Sequence, residues 1–221
     1  MTTLPPLAER TVPGLHATLA ARVQRLVSRD APILDIGCGT GAWLSRLAGL
    51  GFTGLQGTDL DTEQFGLSGI PVHRNDLDSA TWSVDAGRFE LATAIEVIEH
   101  LQNPGNFLRN ARLCLAPRGY LVLTTPNVHS LHARLRFLLT GDMKQFGRIG
   151  DPTHLTPVLD SMLQRLAVRQ GFEIQERWGY PQSGDAVGAR AWVNLTCRVL
   201  RHLLPEPLAG DVYCALLRRV D

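Results

Sequence analysis

Apolar residues recur at three- and four-residue spacing over residues 15–28, where Leu15, Leu19, Val23 and Leu26 share one helical face. This predicts a covering helix within an N-terminal segment, residues 1–29. Asp30, Ala31 and Pro32 then break the chain. The run ILDIG (33–37) is short, apolar and β-branched, and it leads through a glycine-rich turn into AWLSRLAGL (42–50), which regains helical spacing. Further strands are predicted over 52–60, weakly over 70–74, and over 89–95 and 120–124. Between the last two, Phe107, Leu108, Ala111 and Leu115 mark a helix that Pro117, Arg118 and Gly119 end.

In the last third, Thr156 and Pro157 predict an N-cap and first helical residue, with Val158, Leu159, Met162, Leu163 and Leu166 on the apolar face and Gly171 at the close. FEIQERWGY (172–180) and DVYCALLRR (211–219) read as two strands. They enclose an insertion, residues 181–210, whose segment AWVNLTCRVLRHLLPEPL is apolar with interspersed arginines. Strands alternating with helices predict an α/β protein with a mainly parallel, Rossmann-like sheet covered on both faces.

Composition narrows this picture. A chain of 221 residues that is 44% hydrophobic fits one domain, residues 1–221. The net charge of +1 provides no global attraction to nucleic acid or anionic lipid. MTTLPPLAER lacks the features of a signal peptide and no apolar run approaches a membrane span, so a cytoplasmic location is expected. Cys38, Cys114, Cys197 and Cys214 are scattered without a CxxC pair and read as reduced thiols.

The first candidate for chemistry is DIGCGTG, residues 35–41. Gly37, Gly39 and Gly41 permit a sharp turn and a close approach of backbone to ligand. The GxGxG spacing departs from the GxGxxG of dinucleotide sites, and Asp35 would repel a phosphate while suiting an ammonium group. About twenty residues on, Asp59 in GTDLD can accept hydrogen bonds from two ribose hydroxyls. Asp76 and Leu77, in NDLD, suit an exocyclic amine and an adenine face. Each of these acids is alternatively an ordinary turn residue.

The second candidate is EVIEH, in which a core strand runs into Glu96, Glu99 and His100. Three readings stand. Glu96 fills a ligand pocket while the other two cap the next helix or face water; His100 acts as a general base; or the group binds a metal. One helical turn would put Glu96, Glu99 and His100 on one face, with His154 of GDPTHLTP as a fourth ligand. Two carboxylates and two imidazoles suit Mn, Fe, Co or Zn, and Mg less readily.

Taken in order, ILDIGCGTG, GTDLD, NDLD, FELATAIEVIEHLQNP and GYLVLTTPN resemble the motifs of class I S-adenosylmethionine-dependent methyltransferases over roughly residues 30–180. The resemblance implies a seven-stranded sheet of order 3-2-1-4-5-7-6 with an antiparallel last strand. It implies S-adenosylmethionine as cofactor, with the methionine end at Asp35 and the loop of Gly37, Cys38, Gly39 and Gly41. Asp59 would meet the ribose, Asp76 and Leu77 the adenine, Leu60 would also belong to the cofactor site, and Glu96 would emerge beside the sulfonium. EVIEHL with TTPN and a later histidine is also similar to metal-dependent small-RNA 2'-O-methyltransferases and to quinone and glycan O-methyltransferases. That similarity implies Glu96, Glu99, His100 and His154 as metal ligands, with His100 and His154 at the catalytic centre.

Residues 127–156 would then form an active-site cap. Within residues 127–150, Arg134, Arg136, Lys144 and Arg148 stand against Asp142, which reads either as a solvated helix face or as a greeting for an anionic substrate. Only Phe137 and Phe146 offer stacking surfaces in the cap, so nucleic acid is the minority substrate. The insertion reads either as a surface that buries a long acyl or isoprenoid group or as a homodimer face. The expected activity is O-methylation of a small-molecule or glycan-type hydroxyl. Its rivals are a non-catalytic cofactor-binding partner subunit and an RNA 2'-O-methyltransferase.

Overall fold

In the computed structural model, described at residues 7, 9–148, 150–186, 188–202 and 208–221, seven strands form one sheet in the order β3-β2-β1-β4-β5-β7-β6. The strands are β1 (Ile33–Ile36), β2 (Leu55–Asp59), β3 (Val72–Arg74), β4 (Phe89–Ile95), β5 (Leu115–Pro126), β6 (Phe172–Tyr180) and β7 (Val212–Arg219). β3, β2, β1, β4 and β5 are mutually parallel, whereas β7 runs antiparallel to both β5 and β6.

Strand periodicity divides the core between two faces. Leu91 and Val122 pack with Leu15, Leu19 and Val23 of α1 (Leu15–Leu26) and with Trp43, Leu44 and Leu47 of α2 (Ala42–Gly49). Their neighbours Ala92, Leu121 and Leu123 point the other way, onto Phe107, Leu108 and Ala111 of α3 (Pro104–Cys114) and onto Leu163 and Ala167 of α5 (Asp160–Arg169). All four residues of β1 are buried. A strand covered on both sides reads as a continuous apolar run rather than an alternation, as ILDI does.

Two boundaries differ from expectation. Leu115 opens β5 opposite Phe89, and Leu91 then pairs with Tyr120, so residues 116–119 form an irregular excursion instead of a helix end. Arg118 takes a positive φ of 62° there. The helix expected from Thr156 begins at Asp160, because both polar groups of Thr156 are already engaged. Its N–H donates to Glu99 O at 2.9 Å and its hydroxyl to Leu101 O at 2.6 Å. Leu159 precedes α5 in an extended conformation, and the Asp160 N–H donates to His129 Nε2 at 2.8 Å, which satisfies one of the helix's orphan donors.

Two inserted segments stand at the C-terminal end of the parallel strands. α4 (Leu131–Thr140) follows β5, capped by Ser130 Oγ, which accepts from Ala133 N at 3.1 Å. α6 (Ala191–Leu200) lies between β6 and β7. The remainder of the expected insertion includes residues 187 and 203–207, outside the described residues. Asn127 ties the two segments together: its N–H donates to Asp211 O at 2.7 Å, and its Nδ2 to Leu208 O and Gly210 O, both at 2.8 Å.

Candidate active site at the strand ends

A cavity of about 740 Å³ opens at the C-terminal end of the sheet, the place where open α/β sheets take ligands. One wall is the glycine loop. Gly37 and Cys38 both donate their N–H groups to Thr58 O, at 2.8 and 3.1 Å, so the chain folds back over β2 as soon as β1 ends. Gly37 has φ of 73°, and a Cβ there would lie 2.5 Å from Val97 Cγ2; Gly41, at φ 91°, would meet Leu67 and Phe65 at 2.9 Å. A side chain at either position would be strained by the positive φ and would displace these neighbours.

Asp35, Gly37, Cys38, Gly39 and Glu96 line the cavity. Asp35 accepts from Thr93 Oγ1 at 2.8 Å, and Thr93 Oγ1 in turn accepts from the Trp43 indole N–H at 3.0 Å. Burial pushes the Asp35 carboxyl up to about 7; the Thr93 bond opposes that rise and the charge of Asp59 adds to it. Asp59 holds the loop itself, accepting from Gly39 N at 2.8 Å through one oxygen and from Asp61 N at 3.0 Å through the other. Leu60 and Asp76 are exposed and Leu77 packs in the core beside Ile36 and Val97. Asp59, Leu60, Asp76 and Leu77 thus lie outside the cavity wall, along the ends of β2 and β3.

EVIEH departs from the expected α-helical turn. Glu96 takes a positive φ of 54°, and residues Ile98–His100 form a single 3₁₀ turn. The unusual backbone at Glu96 is fixed by Thr124. The Glu96 N–H donates to Thr124 Oγ1 at 3.0 Å and to its carbonyl at 3.2 Å, while the Thr124 hydroxyl donates to Glu96 Oε1 at 2.9 Å. Burial raises the Glu96 carboxyl to about 7 against the pull of that hydroxyl.

The turn separates Glu96 from its neighbours. One donor atom each from Glu99, His100 and His154 lies within 4.8 Å of the others, and Glu96 falls outside this group. Glu99 has no exposed surface, and neither carboxylate oxygen has a hydrogen-bond partner. An isolated buried carboxylate is costly. Burial first, then the nearby charge of Glu96, raises its pKa well above the ordinary carboxylate range, against the weaker pull of its own backbone N–H and the Thr125 hydroxyl, neither of which reaches hydrogen-bond geometry.

Both imidazoles are oriented by backbone carbonyls. His100 Nδ1 lies 3.2 Å from Thr153 O, and His154 Nδ1 lies 3.0 Å from Gln145 O. A carbonyl only accepts, so Nδ1 carries the proton in each ring and the Nε2 lone pair is left for a ligand. Thr153 Oγ1, 2.9 Å from His100 Nδ1, is itself held by Asp151 at 2.6 Å. Burial and then the neighbouring His154 push the His100 pKa below its usual value, which keeps the ring neutral. A buried carboxylate beside two imidazoles whose tautomers are already set matches the donor set of a divalent transition ion.

Several wall residues carry no motif. Arg10, Thr11, Pro13 and His16 come from the segment expected merely to cover the sheet. His16 packs edge-on to Trp43 at 5.3 Å, and Tyr180 OH donates to Pro13 O at 2.8 Å. Gly14 permits this docking, since a Cβ at its φ of 83° would lie 2.5 Å from Tyr180 OH. The proline-glycine pair was the only local sign of such a turn. Gln145, Asp151 and Thr153 line the opposite side. Lys144, a candidate contact for an anionic substrate, is paired with Asp211 at 2.5 Å.

A family model described as "Methyltransferase domain" matches residues 13–177. Among curated proteins, the chain is similar to the ubiquinone biosynthesis O-methyltransferase of a Caulobacter species, 32% identical over 105 residues that cover 43% of this chain and 40% of that protein. It resembles the protein of the same name from Burkholderia orbicola at 32% identity over 102 residues, covering 42% of this chain and 44% of the relative. The matches therefore span less than half of those relatives' length. Among solved structures, an S-adenosylmethionine-dependent methyltransferase from Archaeoglobus fulgidus superposes with a TM-score of 0.61 at 19% identity, covering 92% of this chain and 94% of that one. One from Mesorhizobium loti gives 0.59 at 16% identity, with 90% and 96% coverage. At these identities the superpositions establish the fold.

Proposed function

The chain belongs to the methyltransferase-domain family, and from that premise we propose that it transfers the methyl group of S-adenosylmethionine to a hydroxyl of a small-molecule or glycan-type acceptor, assisted by a divalent ion. The observation that carries the ion is the buried Glu99 carboxylate, without a hydrogen-bond partner, beside two imidazoles whose Nε2 atoms are left available. The O-methyltransferase names of the curated relatives support oxygen as the accepting atom.

In this reading the glycine loop lets the cofactor approach backbone N–H groups that a side chain would shield. Asp35 meets the ammonium group, and the positive ligand draws its carboxyl into the ionised form. Glu96, fixed by Thr124 at the end of β4, keeps its carboxyl on the cofactor side and is removed from the ligand set assigned by motif alone. Glu99, His100 and His154 would hold Mn, Fe or Zn; Mg suits two imidazoles less well. Such an ion supplies Lewis-acid polarisation of the acceptor oxygen. Asp35, Glu96, Asp151 and Asp211 outnumber Arg10 on the wall, which favours a neutral, hydroxyl-bearing acceptor over an anionic one.

The test is titration calorimetry with S-adenosylmethionine, followed by mass-spectrometric detection of methyl transfer to catechol and sugar hydroxyls, with chelator-treated and Mn-, Fe- or Zn-reloaded protein. Failure to bind the cofactor would overturn the whole reading. Equal turnover with and without chelator would remove the ion and leave neutral His100 as the base.

A further inference from the structure

The largest departure from an ordinary soluble surface lies on α4 and α6, which pack against one another at the cavity end of the sheet. At the C-terminal end of α4, Phe137, Leu138 and Leu139 project consecutively, with Leu138 79% and Leu139 81% exposed. On α6, Trp192, Leu195 and Val199 follow helical spacing on the outer face, Trp192 and Leu195 each 63% exposed. The inner face of α6 is committed elsewhere: Cys197 is buried and Asn194 bonds the Ala186 backbone in both directions, at 2.9 and 3.3 Å. The outer apolar stripe is therefore not the helix's packing face.

Charge decides what this surface suits. The protein as a whole carries only +1, yet residues 127–148 hold Arg134, Arg136, Lys144 and Arg148 against Asp142, and residues 188–202 hold Arg190, Arg198 and Arg201 with no acid. Asp185 reaches Arg198, and Asp211 reaches Lys144. Arg148, Arg190 and Arg201 are exposed, the latter two at the two ends of α6. In a two-fold dimer built on this face, like-charged rims would meet each other. A surface with a tryptophan, protruding leucines and a cationic rim has instead the composition of a segment that lies in a lipid headgroup layer.

We propose that the α4–α6 face docks on anionic lipid membrane, with Phe137, Leu138, Leu139, Trp192, Leu195 and Val199 entering the headgroup–acyl boundary and the arginines meeting lipid phosphates. Both helices are inserted at the sheet end that bears the cavity, so docking brings the mouth of the site close to the membrane. No turnover is needed to observe this binding, so its failure is separable from failure of the methyl-transfer reading.

The test is co-sedimentation of the full chain with vesicles of phosphatidylcholine alone and of equimolar phosphatidylcholine and phosphatidylglycerol. Binding to the anionic vesicles at least about tenfold stronger, and weakened by added salt, is expected. Leu139→Glu and Leu195→Glu should each reduce it about tenfold while keeping the thermal midpoint, since both side chains are already in water. Val168→Glu, on the exposed side of α5, should leave it unchanged. A blue shift of fluorescence on vesicle addition should disappear in Trp192→Phe. Absence of binding to anionic vesicles, or binding indifferent to both glutamate variants, would overturn the proposal. So would a vesicle-free dimer that Leu195→Glu converts to monomer, which would assign the face to a second copy of the chain.

Discussion

Asp35 is a buried carboxyl to which the proposed function gives a cationic ligand. Its carboxyl is raised to about 7 by burial, while a cationic ligand favours the ionised form. Cofactor binding should therefore release protons near neutrality, and affinity should rise between about pH 6 and 8. Calorimetry in buffers of different ionisation enthalpy measures the release. Asp35→Asn should flatten the profile and weaken binding by roughly tenfold or more, as expected for a charged hydrogen bond. Glu99 behaves differently because it lacks any such partner. Asp35, Glu96 and Glu99 all have folded pKa values above their ordinary 3.8 and 4.5. The contribution of Asp35 and Glu96 to stability is complete below about pH 4 and is lost as pH rises through about 7, since the buried charged form is disfavoured, and Glu99 acts in the same direction. For metal-free protein, Glu99→Gln should raise the thermal midpoint at pH 8 relative to wild type and abolish the stabilisation produced by Mn or Zn. Sequence spacing brought these residues into view, but not their grouping. The positive φ of Glu96, set by Thr124 on the neighbouring strand, is a tertiary effect that an i, i+3, i+4 pattern does not contain.

Elements were legible where a face is buried over several turns and less so where a side chain is claimed from a distance. Leu115 has the periodicity of α3 yet continues into β5, because Phe89 provides a strand partner. Thr156 has the identity of an N-cap, yet the Glu99 and Leu101 carbonyls recruit it. With Leu155 N, which donates to Glu99 O at 2.8 Å, it fastens the loop bearing His154 to the turn bearing Glu99 and His100. Thr156→Ala would leave the buried Leu101 carbonyl without the hydroxyl. The expected cost is about 1–3 kcal/mol by urea denaturation. Metal affinity should fall more than S-adenosylmethionine affinity, because the loop joins two ligand-bearing pieces without touching the glycine turn.

For the whole molecule, a mainly parallel sheet covered on both faces followed from the alternation of strands and helices, and the strand order with its antiparallel last strand from the resemblance of the motifs. The wall contributed by the N-terminal segment was not legible, since Arg10 to Pro13 has no periodicity and is held at Pro13 by Tyr180, 167 residues away. Tyr180→Phe removes that bond. Its expected effect is a severalfold faster release of S-adenosylmethionine in stopped-flow measurements, with a loss of only about 1 kcal/mol in stability. The reversal of β7 has a different kind of consequence. Because β7 starts beside the end of β5, with Pro126 opposite Val212, α4 and α6 share one rim although far apart in sequence. Evolution or a protein engineer can therefore exchange both segments like a paired attachment, rewriting what is methylated and where, while the strand ladder and the cofactor cradle stay as they are.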